Sequence, residues 1–156
     1  MPNYITEDEI EKAICKVFQD ELGYELLNAY TVREDNPNDK TNRTDKAEVV
    51  FHEILKKQLI KINPKIPPPV IDSAIAKLTD KRSQKSPLMA NKEVYHLLKD
   101  GILVEYEDQN GKKEHGYVRV LDYEHPDNNH FLVVRQMWIK GSLYYRRPVS
   151  WSKQGY

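Results

Sequence analysis

The feature of this sequence that most constrains its fold is a change of hydrophobic period at Asp100-Gly101. Before this point, apolar residues recur at the three- and four-residue spacing of amphipathic helices. After it, apolar and polar residues alternate over Ile102–Glu107, and a second alternating run covers Gly116–Tyr123. Asn110-Gly111, between the two runs, is a strong hairpin signal. Helices followed by an antiparallel meander predict an α+β fold.

Four helices are expected in the first part of the chain, followed by a mainly antiparallel four-stranded meander. Proline and glycine mark several of the helix boundaries, because proline suits a first helical turn and glycine suits a left-handed stop. The helices are predicted at Glu7–Leu22, from about Asp45 to before Asn63, from Pro69 through Leu78, and over about Asn91–Lys99.

The first helix opens with a capping box, in which Thr6 and Glu9 each satisfy a backbone donor of the other. Glu11 lies at the border of the apolar stripe that follows. It is therefore the acid of this helix that is placed to point toward a site, although the same position is compatible with a carboxylate at the rim of the buried face. Cys15 is expected to be a small buried hydrophobe. The stripe, predicted as the buried face, consists of Ile10, Ala13, Ile14, Val17 and Leu22.

Three segments before the strands are less regular. Residues 24–32 fit either a short strand or a continued helix. The segment 33–44 is rich in Asn and Asp and is expected to form an exposed loop. Residues 81–86 form a basic loop, which is expected to be solvated rather than bound to phosphates.

The last part of the chain combines strand-forming residues with positive charge. Phe131–Ile139 and Leu143–Tyr145 are typical of paired strands. No Asp or Glu follows Asp127, and Arg135, Arg146 and Arg147 are cationic. These three arginines are therefore predicted to contact an anionic partner such as DNA, although the same charges are also compatible with a merely solvated surface.

Length and composition set further limits. A chain of 156 residues with a formal net charge of zero fits a single domain, and its neutrality argues against a free-standing electrostatic DNA binder. The expected domain has a helical part at about 1–101, a strand part at about 102–148 and an atypical tail at 149–156. No membrane span or signal peptide is found, so a cytoplasmic location is expected.

Motifs for several kinds of chemistry are missing from the sequence. No glycine-rich phosphate cradle is present. The five histidines show no pairing at metal-ligand spacing, so no metal site is predicted from them, and His125-Pro126 is interpreted as turn chemistry.

A series of short motifs follows Glu11 and Leu22-Gly23-Tyr24 along the chain. The motifs are, in order, Asn63-Pro64-x-Ile66-Pro67, Asn91-x-x-Val94-Tyr95-x-Leu97-Leu98-x-x-Gly101-Ile102-x-Val104, Asn129-x-Phe131-Leu132-Val133-Val134-x-Gln136 and Arg146-Arg147-Pro148. This series resembles the N-terminal segment of HsdR, the restriction subunit of type I restriction-modification enzymes. The resemblance covers nearly the whole chain up to Pro148.

The resemblance implies a PD-(D/E)xK-type nuclease domain, fused in full-length members to ATP-dependent DNA translocase domains. It implies Mg²⁺ and ATP as cofactors of the full-length protein, and double-stranded DNA and the modification and specificity subunits as partners. Glu11 matches the family's helix-one glutamate and is the candidate catalytic residue. The family's other metal-site residues are an aspartate after Arg-Arg-Pro and a Glu-x-Lys on the next strand, which bind Mg²⁺ and assist the attacking water.

The sequence departs from this pattern after Pro148. Val149 stands where the family has aspartate, and no Glu-x-Lys follows it in residues 149–156. We therefore expect an incomplete restriction-endonuclease-like core without its own metal site or nuclease activity, either an expressed fragment or the product of an interrupted gene. The alternatives are a non-enzymatic module that binds DNA or the partner subunits, and an unrelated small α+β protein.

Overall fold

The computed structural model describes residues 5–107, 110–141, 145 and 146, and it describes no side chain for the last two. The chain forms two compact units. We call residues 52–129 the central unit, and residues 1–51 together with 130–156 the terminal unit. The described elements are an α+β mixture, as the sequence predicts.

The central unit contains three helices and a hairpin. They are α2 (His52–Ile62), α3 (Pro68–Thr79), α4 (Pro87–Asp100), β2 (Ile102–Glu107) and β3 (Lys113–Val118). The predicted hairpin is confirmed, since β2 pairs antiparallel with β3, from Ile102 opposite Val118 to Glu107 opposite Lys113. The bounds predicted for its second strand were wrong: the strand covers Lys113–Val118 and not Gly116–Tyr123. Its inward side chains and the helices bury one apolar core, formed by Leu59, Ile62, Ile71, Ala74, Ile75, Ile102, Val104, Val118 and Val120.

Two residues of the central unit connect its helices to the hairpin. Gly101 caps the C-terminus of α4 with a φ of 85°, and β2 begins at the next residue, Ile102. A Cβ atom at this glycine would lie 3.1 Å from the Val118 carbonyl oxygen. The amide of Asn63, which is 6% exposed, exchanges hydrogen bonds with the backbone of Arg119: Nδ2 donates to its carbonyl at 2.8 Å, and Oδ1 accepts from its N–H at 2.8 Å.

The terminal unit contains α1 (Glu7–Asp20) and short strands that come from both ends of the chain. The strands are β1 (Glu25–Asn28), β4 (Leu132–Arg135), β5 (Ile139–Lys140) and β6 (Tyr145–Arg146). β4 pairs with β1 in parallel, from Leu132 opposite Glu25 to Arg135 opposite Asn28. β5 and β6 pair antiparallel.

The expected four-stranded meander is not what the described strands form. They make three two-stranded sheets, and β4 pairs with β1 instead of continuing from β3. Alternation and β propensity identify a strand but carry no information about its partner, so a segment such as 24–32, which was ambiguous in the sequence, was not recognised as the neighbour of β4. Residues 143 and 144 of the predicted strand Leu143–Tyr145 lie outside the described part of the chain.

Helix α1 has its predicted capping box, but its apolar stripe is not the face that packs inward. Ile10, Ile14 and Val17 are 50%, 51% and 44% exposed, whereas Cys15 is buried. The inward-facing side chains are those of Glu11, Cys15 and Phe18. The prediction for the apolar stripe was therefore wrong, because polar and aromatic contacts of the inner face orient the helix.

The segment before α2 was also predicted wrongly. The helix expected from Asp45 begins at His52, and the loop expected to be exposed contains buried Asp39, Thr41 and Arg43. Glu48 closes a local turn by accepting hydrogen bonds from Thr44 Oγ1 at 2.6 Å and from the Asp45 N–H at 3.1 Å. Short polar side chains that bond to nearby backbone compete with helix formation in this way.

Arg43 is the centre of this buried segment, with its side chain 1% exposed. It donates to Asp39 Oδ2 at 3.0 Å and to the Glu48 carbonyl at 2.9 Å. It also donates at 2.9 Å to the carbonyl of Trp138, which lies in the C-terminal segment of the same unit. Burial alone would raise the pKa of Asp39, but hydrogen bonds from Lys46, Thr41 and Arg43 outweigh it and lower that pKa to about 2. The segment is thus held by a charge network in place of an apolar core.

We expect Arg43→Met to lower the free energy of unfolding by about 3 kcal/mol or more, because it removes one partner of a buried ion pair. Urea denaturation followed by tryptophan fluorescence and far-UV circular dichroism measures this loss. Arg33→Met is the matched control, since Arg33 pairs with Asp35 at the surface with a side chain 77% exposed. The control should cost less than about 1 kcal/mol, and equal urea midpoints for the two variants would contradict the assignment.

Candidate functional site

The residues predicted to form a site do not all have the same surroundings in the structure. Glu11 lies on the inner face of α1, and Arg135 ends β4. Arg146 belongs to β6, whose side chains are not described, and Arg147 lies outside the described residues. Glu11 and Arg135 are therefore the two predicted residues whose relation can be examined, and the structure brings them together.

Arg135 binds the acids of α1. Its Nη2 donates to Asp8 Oδ1 at 2.9 Å and to Glu11 Oε2 at 3.0 Å. Gln136 Nε2 donates to the same Glu11 oxygen at 2.5 Å. We call Asp8, Glu11, Arg135 and Gln136 the acid–arginine cluster.

Local structure on both sides produces this cluster. Asp8 and Glu11 are three residues apart on α1, so both face the same neighbour. On the other side, β4 is fixed by β1, and the Ala29 N–H donates to the Arg135 carbonyl at 3.0 Å. Gln136 follows the strand with a φ of 58°, a left-handed conformation that few residues other than glycine adopt. This turn directs the Gln136 amide toward Glu11.

The contact between Arg135 and Glu11 is largely shielded from water. The side chains of Arg135 and Glu11 are each 12% exposed, while that of Asp8 is 55% exposed. Among the described residues, Arg135 Nε is the buried side-chain atom that has no hydrogen-bond partner. The hydrogen bond from Lys12 lowers the pKa of Asp8 most, and the hydrogen bond from Arg135 lowers it further. A buried arginine needs such carboxylates, because an uncompensated charge is costly in this environment.

This geometry changes the interpretation of both predicted residues. Arg135 was predicted to contact DNA, but its guanidinium is turned inward to α1. Sequence reasoning missed Asp8 and Gln136; the available signal was the spacing of Asp8, one helical turn before Glu11. The cluster can fix the helix against the strand pair through charge and hydrogen bonds.

The Mg²⁺ ion implied by the resemblance does not fit the cluster as it stands. A magnesium site needs several oxygen ligands converging at about 2.0–2.1 Å. Here the two carboxylates converge on a guanidinium nitrogen instead, and both neighbouring donors, Arg135 and Gln136, are hydrogen-bonded to Glu11 Oε2. The Nε atom that lacks a partner belongs to the same guanidinium. The carboxylate oxygens that a metal ion would need are already engaged by protein donors.

A second group of potential ligands lies in the central unit. One ligand atom each of Asp122, Glu124 and His125 lies within 4.8 Å of the others. Asp122 is buried, but its oxygens accept from the His125 N–H at 3.0 Å and from Asn128 Nδ2 at 2.9 Å. These bonds close the loop before the 3₁₀ turn Pro126–Asn128, in line with the turn chemistry predicted for His125-Pro126.

The basic loop 81–86 is also occupied by internal contacts. Arg82 donates to Glu93 Oε1 at 3.0 Å and to three backbone carbonyls at the end of α3, and Lys85 also pairs with Glu93. Arg82 therefore connects the end of α3 to α4, and Lys85 connects the loop to α4. The described helices include none that could span a membrane.

The Arg135–Glu11 contact predicts strong coupling in a double-mutant cycle. Arg135→Met and Glu11→Gln should each destabilise the protein, and the double variant should lose less than their sum, with a coupling energy on the order of 1–3 kcal/mol. Equilibrium urea unfolding of the four chains measures it. The matched cycle uses Asp8→Asn, whose half-exposed carboxylate should couple to Arg135 more weakly than Glu11 does, because water screens it. Additive effects of the Glu11 and Arg135 substitutions would show that the contact does not hold the helix.

Comparisons with known proteins give the family of the chain. Residues 4–148 match the family described as type I restriction enzyme R protein N terminus. The chain is 36% identical over 138 residues to the type I restriction enzyme HindI endonuclease subunit of Haemophilus influenzae. This alignment covers 87% of the chain and 12% of that protein, so the chain spans about an eighth of the relative's length.

The comparison with solved structures found no significant match. The family match covers all four helices and all six described strands, including the acid–arginine cluster. The chain therefore belongs to the family of N-terminal regions of type I restriction enzyme R proteins.

Proposed function

We propose that this chain is the N-terminal part of the DNA-cleaving, ATP-dependent restriction subunit of a type I restriction-modification system. The observation that carries the proposal is the family match over residues 4–148. It is supported by the 36% identity to a protein named as an endonuclease subunit.

Within that subunit, we propose that residues 1–156 contribute to one nuclease domain of the PD-(D/E)xK type. The parallel pair of β1 and β4, with α1 attached through Glu11, would be the beginning of a restriction-endonuclease-like core. Glu11 would be the carboxylate that α1 contributes to the catalytic centre. A centre of this kind needs further acids, since a divalent ion is held by several oxygen ligands.

The remaining requirements of the activity are proposed for the longer protein. Mg²⁺ would supply charge neutralisation at the scissile phosphate, and ATP would drive translocation. Double-stranded DNA and the modification and specificity subunits would be the partners, in the cytoplasm. Residues 1–156 alone should not cleave DNA, because Val149 replaces the family's aspartate and no Glu-x-Lys follows Pro148 in this sequence.

A chimera tests this proposal. Residues 1–148 of this chain, joined to the corresponding downstream part of the HindI endonuclease subunit, should restore Mg²⁺- and ATP-dependent cleavage of unmodified plasmid in the presence of the partner subunits. The isolated 156-residue chain should leave supercoiled plasmid intact under the same conditions. Agarose gels of the plasmid forms measure both outcomes.

Two controls make the chimera informative. Glu11→Gln in the chimera should reduce cleavage at least about 100-fold if the carboxylate acts in the catalytic centre, a loss of about 2.7 kcal/mol. Glu21→Gln, an exposed acid at the end of the same helix, should leave cleavage unchanged. A correctly folded chimera without cleavage, or nicking by the isolated chain that disappears with Glu11→Gln, would overturn the corresponding part of the proposal.

A second candidate function is a non-enzymatic DNA-binding module. The observation that favours it is the absence of acidic residues after Asp127, together with the adjacent Arg146 and Arg147. Arg135 is less suited to this role than the sequence indicates, since its guanidinium is engaged by Asp8 and Glu11.

The two arginines give a salt-dependent prediction. If both contact phosphates, Arg146→Ala/Arg147→Ala should weaken duplex binding and reduce the slope of log K against log salt by about 2, because each phosphate contact releases counterions. Fluorescence anisotropy with a labelled duplex at several salt concentrations measures it. The control Arg33→Ala/Arg119→Ala removes two exposed arginines and should leave the slope unchanged. Equal effects of the two double variants, or no binding at low salt, would reject this function.

A further inference from the structure

The acid–arginine cluster has one atom at its centre. Arg135 Nη2 lies 2.9 Å from Asp8 Oδ1 and 3.0 Å from Glu11 Oε2, so a single nitrogen bridges the two carboxylates. These are ordinary lengths for charge-assisted hydrogen bonds. A divalent ion shared by the same two oxygens would have to replace this nitrogen.

The charges of the cluster favour a cation between the acids. Asp8 and Glu11 project from one face of α1 with like charges, which repel each other at this spacing. Arg135 supplies one positive charge and Gln136 supplies a neutral donor. Lys12 pairs with the other oxygen of Asp8 at 2.6 Å, but both side chains are more than half exposed, so this pair contributes little.

The backbone holds the guanidinium in this position. Arg135 is the last residue of β4, paired with Asn28, and its carbonyl is bound by Ala29. The next residue, Gln136, has a left-handed φ of 58°, and Arg135 Nε is left without a partner among the described residues. The cluster thus retains an unfavourable backbone conformation and an unsatisfied donor, while Nη2 contacts both acids.

We propose that Arg135 is an internal counter-ion, which occupies the position of a divalent cation between Asp8 and Glu11 and excludes metal ions from this pair. Arg135 and a metal ion compete for the same two oxygens, so the carboxylates become available to a cation only when the guanidinium leaves. This inference rests on the geometry of the cluster; together with the proposed function of Glu11, it means that assembly of the catalytic centre requires displacement of Arg135. Arg135 is then a positioning residue for Glu11.

Metal-dependent stability of the 156-residue chain tests this inference. Mn²⁺ should not raise the melting temperature of the wild-type chain through Glu11, so wild type and Glu11→Gln should respond equally. Arg135→Met should gain a Mn²⁺-dependent rise on the order of 3 °C when the ion is in tenfold excess over its dissociation constant. The gain should disappear in Arg135→Met/Glu11→Gln and should be weaker in Arg135→Met/Asp8→Asn.

Two further variants separate the role of the cluster from a general loss of charge. Arg135→Lys keeps a positive charge beside the acids and should gain no response to Mn²⁺. Arg82→Met removes a buried arginine that faces the single carboxylate of Glu93, and it should also gain none. A response of Arg82→Met equal to that of Arg135→Met would overturn the inference.

Direct Mn²⁺ binding provides a second measurement if Arg135→Met folds poorly. Electron paramagnetic resonance of free Mn²⁺ should show no Glu11-dependent binding to the wild-type chain, and Mn²⁺ should restore the circular dichroism of an unfolded Arg135→Met chain. Glu11-dependent binding to the wild type, or failure of the ion to stabilise or refold Arg135→Met, would overturn the inference. Neither measurement involves cleavage. A failure of the proposed function, which the chimera tests, can therefore be distinguished from a failure of the inference about Arg135.

Discussion

The contact between Arg135 and Glu11 determines how the first helix is used in this protein. Burying two charged side chains is unfavourable unless they pair with each other. The two groups here lie on segments that are more than a hundred residues apart in the chain. This pairing accompanies an orientation of α1 in which Glu11 faces inward and Ile10 and Ile14 lie at the surface. Apolar contact adds to this orientation locally, through the ring of Phe18, which is tilted against Tyr24, and Tyr24 in turn stacks on Phe131.

The terminal unit depends on this kind of long-range polar contact in several places. Arg43 joins a loop near the beginning of the chain to the Trp138 carbonyl, and the Lys140 N–H donates to the Lys46 carbonyl at 3.0 Å. The parallel pair of β1 and β4 also joins distant segments of the chain, because parallel strands cannot be connected by a tight turn. The central unit differs, since its hairpin connects neighbouring segments and its core is apolar. Contacts between distant segments form more slowly than local ones, so we expect the terminal unit to fold later.

Membership in the R-protein family gives these contacts a functional setting. The match covers the acid–arginine cluster as well as the apolar core of the central unit. In the proposed nuclease domain, α1 would present Glu11 to the metal, yet in this structure its carboxylate is paired with Arg135. An arginine in that place would stabilise the helix and its carboxylates before other acids and a metal ion are available. Arg135, Arg146 and Arg147 were predicted together as one basic surface, but Arg135 has a different role from the one predicted for all three.

The sequence by itself determined the α+β class, the capping box of α1, the buried Cys15, the hairpin at Asn110-Gly111 and the family. These features depend on neighbouring residues or on motifs in fixed order, so local chemistry is sufficient to predict them. Tertiary structure decided the partner of β4, the inward face of α1 and the burial of Asp39 and Arg43. Each of these depends on which distant group neutralises a charge or completes a strand. Hydrophobic periodicity does not encode that choice, and for this reason Arg135 was predicted to lie on a DNA-binding surface when it faces Glu11 inside the fold.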